Sequence, residues 1–123
     1  MKEWRATFSV PIFDAQVMVI VSDDIEYSKR IVRRCVRDNM QPDNFSQSGA
    51  ALMYSYPYYA VLWGRVEFDT GVLGHEVGHL CRQLLSDVGH KLKVENDEIL
   101  ALLEEWITRK LSKLLLKNGR LIR

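Results

Sequence analysis

From Thr70 to Lys117 the chain keeps a helical period with one interruption, and this constrains the fold more than any other feature. Asp69 or Thr70 caps a first helix that runs to about Asp87, and Gly89 is its stop. Asn96 caps a second, whose apolar positions Ile99, Leu102, Leu103, Trp106, Ile107, Leu111, Leu114 and Leu115 follow i, i+3, i+4 spacing. Acids crowd the start of that helix and bases its end, which suits the helix dipole, and Asn118-Gly119 ends it. Amphipathic helices of this kind bury their stripes against another layer.

The first half of the chain supplies that layer. Residues 5 to 21 read as two short strands, ATFSVPIF leading into Asp14 and then AQVMVIV, with Pro11 marking an edge or a bend. Residues 23 to 39 change to a helical period. They open on a Ser-Asp-Asp cap and place Ile25, Ile31, Val32, Cys35 and Val36 on one side. Residues 40 to 50 are turn-rich and polar, a loop; two apolar strands, ALMYSY and YYAVLWGRVEF, follow with a break at Pro57. The order is β-β-α-β-β-α-α, and the expected class is α+β: a small mixed sheet packed beside three helices.

At 123 residues this is expected to be one compact domain, 1–123, with no room for a second. A formal charge of +1 gives no global pull towards nucleic acid or membrane, and no apolar run approaches the ~20 residues that span a bilayer. The basic stretch of Arg109, Lys110, Lys113 and Lys117, followed by Arg120 and Arg123, is explained by a solvated helix end, without nucleic acid. The start MKEWRATFSV lacks the apolar core of a secretory signal. Cys35 and Cys81 are too few for a disulfide framework, so the expectation is reduced, buried thiols in a cytoplasmic protein.

Two of the three histidines lie four residues apart in the first of the late helices, in GVLGHEVGHLCR. Residues i and i+4 share one helix face. His75 and His79 can therefore converge on one metal ion, with Glu76 placed to act on a water bound to it, which is the zinc-hydrolase reading of H-E-x-x-H. Catalytic zinc takes three protein ligands plus water, so a third must be found. The elongated form of the motif fails, because Arg82 and Leu85 occupy the positions for its glycine and third histidine. His90 is one candidate. Glu98 is the stronger, in the first turn of a helix expected to return antiparallel to the motif helix.

HEVGH followed at this spacing by a helical glutamate resembles the gluzincin clan of zinc metallopeptidases. The resemblance covers residues 59 to about 107. Within the clan the chain is most similar to very short, single-domain versions, including metallopeptidase-like proteins of phage and mobile elements. The resemblance implies a zincin-like fold, zinc on His75, His79 and Glu98, and Glu76 as the catalytic base. The chain lacks the C-terminal subdomain of larger members, which often supplies groups that stabilise the oxyanion.

Further roles follow from chemistry. Glu105 or Asp97 could orient a ligating histidine, although surface acids account for both more simply. Tyr58, Tyr59 and His90 are candidate donors to an oxyanion. Gly74 and Gly78, costly inside a helix at about 1 kcal/mol each, would let another backbone or the glutamate helix come close. The function expected first is a zinc-dependent hydrolase, a metallopeptidase acting on a peptide or protein that pairs with the strand YYAVLWGR. The alternative is a non-enzymatic partner-binding protein that retains the metallopeptidase scaffold, with or without zinc. Self-association is left open.

Overall fold

The computed structural model describes residues 3–11, 13–42, 50–64, 70–92 and 97–117. It contains a five-stranded mixed sheet and three helices, an α+β class. The contacts divide into two compact units, Met1–Glu67 and Phe68–Arg123.

The first unit holds β1 (Glu3–Val10), β2 (Ala15–Ser22), α1 (Ile25–Cys35), the two-residue β3 (Gln41–Pro42), β4 (Ala50–Ser55) and β5 (Tyr58–Gly64). Strand order is β1-β2-β5-β4-β3. β2 and β5 run parallel, in register from Gln16 opposite Tyr58 to Ser22 opposite Gly64; the other pairs are antiparallel. Central strands are covered on both faces, so they lose the alternation of a half-buried strand and become apolar throughout. That is the composition of β5, in which Tyr59 to Trp63 are all buried. This placement corrects one expectation. YYAVLWGR cannot pair with an extended peptide, because β2 and β4 already occupy both of its edges.

Pro11 follows the last residue of β1, so the strand stops at Val10, short of the expected ATFSVPIF, and the turn back to β2 places Asp14 at φ 51°. Aspartate tolerates that left-handed conformation better than most residues. The break at Pro57 is the tight turn between β4 and β5.

Helix α1 begins where its cap was expected. Asp24 accepts the backbone N–H groups of Glu26 and Tyr27, at 3.0 and 3.3 Å. Ile31 and Val32 pack with Ile20, Met40, Ala51, Met53, Ala60 and Leu62 in a cluster against one face of the sheet. Ser22 donates to the carbonyl of Asp24 at 2.9 Å, so the 2.6 Å contact between the buried hydroxyls of Ser22 and Ser28 uses the proton of Ser28. Cys35 departs from expectation. It belongs to the last turn, is exposed, and lines an open groove of about 360 Å³ with Thr7, Gln16, Met18, Val36 and Tyr58.

The second unit is α2 (Thr70–Asp87) and α3 (Glu98–Lys117), which pack against each other. α2 buries Leu73, Val77, Leu80, Cys81, Leu84 and Leu85, and α3 buries Leu103, Ile107, Leu111 and Leu115. Ile99, Leu102 and Trp106, expected in the same stripe, are exposed: Leu102 and Trp106 fall on the neighbouring row of the helix surface, and Ile99 is in the first turn, at the end of the buried row. Gly89, at φ 85°, stops α2 as expected: its N–H donates to the carbonyl of Ser86 and that of His90 to Leu85, the two bonds of a Schellman motif. The cap of α3 is Asp97, which accepts the N–H of Leu100 at 3.0 Å. Asp69, Asn96 and Asn118-Gly119, the other expected caps and stop, lie outside the described residues, as do residues 43–49 of the loop and 65–68 of the last strand. Among the described residues, no helix is long and apolar enough to cross a membrane.

Candidate metal centre

The helical period of α2 delivers the geometry that the motif requires. His75 is exposed and His79 half-buried, and their Nε2 atoms stand 2.9 Å apart. The rings meet edge to face, with centroids 4.5 Å apart. Two nitrogens at 2.0–2.1 Å from a tetrahedral zinc are separated by about 3.3 Å. The observed 2.9 Å contact is a hydrogen-bond distance, a few tenths of an ångström shorter than that separation.

Glu76, between them in sequence, is only 1% exposed. Glutamate is almost never fully buried without a specific reason, because an ionised carboxylate out of water is costly. The chain therefore places a buried acid one residue from an imidazole pair whose ring nitrogens converge.

The expected third ligand is not brought to that pair. Among the described residues, no group of three or more His, Cys, Asp or Glu side chains is assembled to hold an ion. The cause lies in the link between the helices. His90 Nε2 contacts both oxygens of Asp97, at 3.2 and 3.1 Å, and pins the start of α3 to the end of α2. Glu98, the first residue of α3 and exposed, thus sits near the last turn of α2. At a rise of 1.5 Å per residue, that is about 12 Å along the axis from His79. The same contact commits His90 to Asp97, so its role is to hold the link. Glu105 forms an i, i+4 ion pair with Arg109 at 2.6 Å, both exposed, and is a surface acid.

Tyr58 lies under the guanidinium of Arg37, 4.6 Å from the ring centroid, and Tyr59 is fully buried in β5. Cys81 is buried, and burial pushes its thiol up to about 12, with the charge of Glu104 adding to the effect and Arg82 opposing it. Cys81 and Glu104 are equally far from the joined ends of their helices, as two helices running back along each other require.

Among the described residues, no second backbone approaches the glycines: a Cβ at Gly74 would meet nothing within 4 Å, and one at Gly78 would meet only Nη1 of Arg82, at 3.0 Å. Sequence reasoning missed Arg82, although a signal was present: it lies one turn after Gly78, the residue over which it folds.

Comparison with protein-family models, curated proteins and solved structures finds no match for this chain.

Proposed function

We propose that the protein is a zinc-dependent hydrolase of the metallopeptidase type, acting on a peptide or protein. The observation that carries this reading is the His75–His79 pair, with Nε2 atoms 2.9 Å apart and the buried Glu76 next to His75 in the chain. His75 and His79 would hold the ion through Nε2, each keeping its ring proton on Nδ1. Glu98 is proposed as the third protein ligand on its sequence spacing alone, and to reach the pair the start of α3 would have to move about 12 Å along α2. Bound zinc would supply Lewis acidity, polarising the substrate carbonyl and acidifying water. Glu76 would accept the proton of the attacking water and hand it to the leaving amine.

Zinc stoichiometry by elemental analysis and cleavage of a mixed peptide library by mass spectrometry test the reading together. One zinc per chain is expected, lost in His75→Ala and His79→Ala; the content of Glu98→Ala decides the third ligand. Cleavage should be chelator-sensitive. Glu76→Gln should keep zinc and lose about 10²–10⁴-fold in turnover, the usual size of general-base assistance. Equal metal content in wild type and both histidine variants defeats the ligand assignment, and equal cleavage by Glu76→Gln defeats the base. A fully zinc-loaded chain that cleaves no library member favours the partner-binding scaffold instead.

A further inference from the structure

We propose that Arg82 is the residue that recognises the substrate, binding a carboxylate close to the scissile bond. The inference rests on the hydrolase reading and assigns that site a substrate class.

Residues 74, 78 and 82 form one i, i+4 row on α2, next to the row of His75 and His79. Two members of that row are glycine. Position 74 is exposed and opens onto free space. At position 78 the space a side chain would fill is taken by the guanidinium of Arg82, whose Nη1 lies 3.0 Å from the site of a Cβ. Helical side chains lean towards the N-terminus, and with Gly78 bare, Arg82 can lie flat along the helix. Its donors then point back into the turn that carries both histidines.

Arg82 is exposed, and among the described residues no carboxylate forms an ion pair with it. Glu76, the acid next to His75 in the chain, is buried. A planar fork of N–H donors with that freedom matches a carboxylate in two parallel hydrogen bonds. The row leaves a short strip without side chains at exposed Gly74, next to the row of the imidazole pair, and the Arg82 guanidinium lying over buried Gly78 closes its C-terminal end. A substrate lying on the strip would meet the cation with whatever anion it carries near the bond to be cut. That anion is either the carboxylate of a free C-terminus or that of an acidic side chain.

Three probes with one hydroxamate head group separate these cases on the zinc-loaded protein: alanine with a free carboxylate, aspartate amide, and neutral alanine amide. Calorimetric titration should show at least one carboxylate probe binding about tenfold more tightly than the neutral one, the value of one charge-assisted contact. Which of the two binds names the source. Arg82→Gln should remove that preference, leaving zinc content and neutral-probe affinity unchanged. Gly78→Ala should weaken it several-fold by displacing the guanidinium, again with zinc retained. Carboxylate probes that bind wild type no better than the neutral one overturn the inference, as does a preference that survives Arg82→Gln; in both cases the hydrolase reading stands. A chain that takes up no zinc removes both.

Discussion

Asp97 performs two tasks at once, and they can be separated by substitution. Its carboxylate caps α3 through the N–H of Leu100 at 3.0 Å and receives His90 at 3.1 Å, with side-chain exposures of 5% for Asp97 and 21% for His90. Loss of an N-cap costs about 1 kcal/mol. A hydrogen bond to a charged group contributes about 1.5–3 kcal/mol, and the lower end applies where one partner is partly solvated. Asp97→Ala should therefore destabilise the protein by about 2–3 kcal/mol. Asp97→Asn, which still caps, should lose roughly half of that. Urea unfolding followed by circular dichroism, with a chelator present so that metal linkage does not enter, reads both values. In a double-mutant cycle with His90→Ala the coupling should be about 1 kcal/mol or more. An Asp97→Ala variant within about 0.5 kcal/mol of wild type, the usual range for surface changes, would refute the pin, and so would zero coupling.

Three further outcomes follow from the structure. Gly89→Ala forces a side chain onto a residue at φ 85° and should cost about 1–2 kcal/mol in the same assay; unchanged stability would show that α2 does not end in the left-handed turn. Of the two thiols, only exposed Cys35 should react quickly with a chromogenic disulfide at pH 8, while buried Cys81 should react after unfolding. Because the folded state raises the Cys81 thiol to about 12 from 9.0, the unfolded chain ionises first. The stabilisation is complete below pH 9 and is lost as pH rises towards 12; a Cys81→Ala variant with the same alkaline stability profile would contradict this.

What could be read in advance was local. The Asp24 cap, the break at Pro57, the stop at Gly89 and the convergence of His75 and His79 each depend on residues within one or two turns of one another. Sequence shows such relations directly. The neighbours of β5 were not legible, since an apolar run does not say which strands flank it. Exposure of Cys35 was hidden for a related reason: helical spacing gives a face, but not how far the sheet beneath it extends. The cap of α3 was misplaced by one residue because Asn96 and Asp97 are both good caps, and only the contact with His90 distinguishes Asp97. For the ligand set, H-x-x-x-H needs only one helix, whereas adding Glu98 depends on the path of the link, which no spacing rule contains.

The sheet is two antiparallel ribbons, β1–β2 and β4–β5, sewn together by a single parallel seam between β2 and β5. Each ribbon joins strands that are neighbours in sequence. The seam joins Gln16 to Tyr58 and Ser22 to Gly64 across the whole of α1 and the segment after it. Its loop-closure entropy must be met before its contacts contribute anything. Of the unit's main strand pairings, the seam therefore closes the longest loop. Until the seam forms, β2 and β5 each leave an apolar edge unpaired, so two of the most buried strands of the finished fold are edges that another chain could pair with.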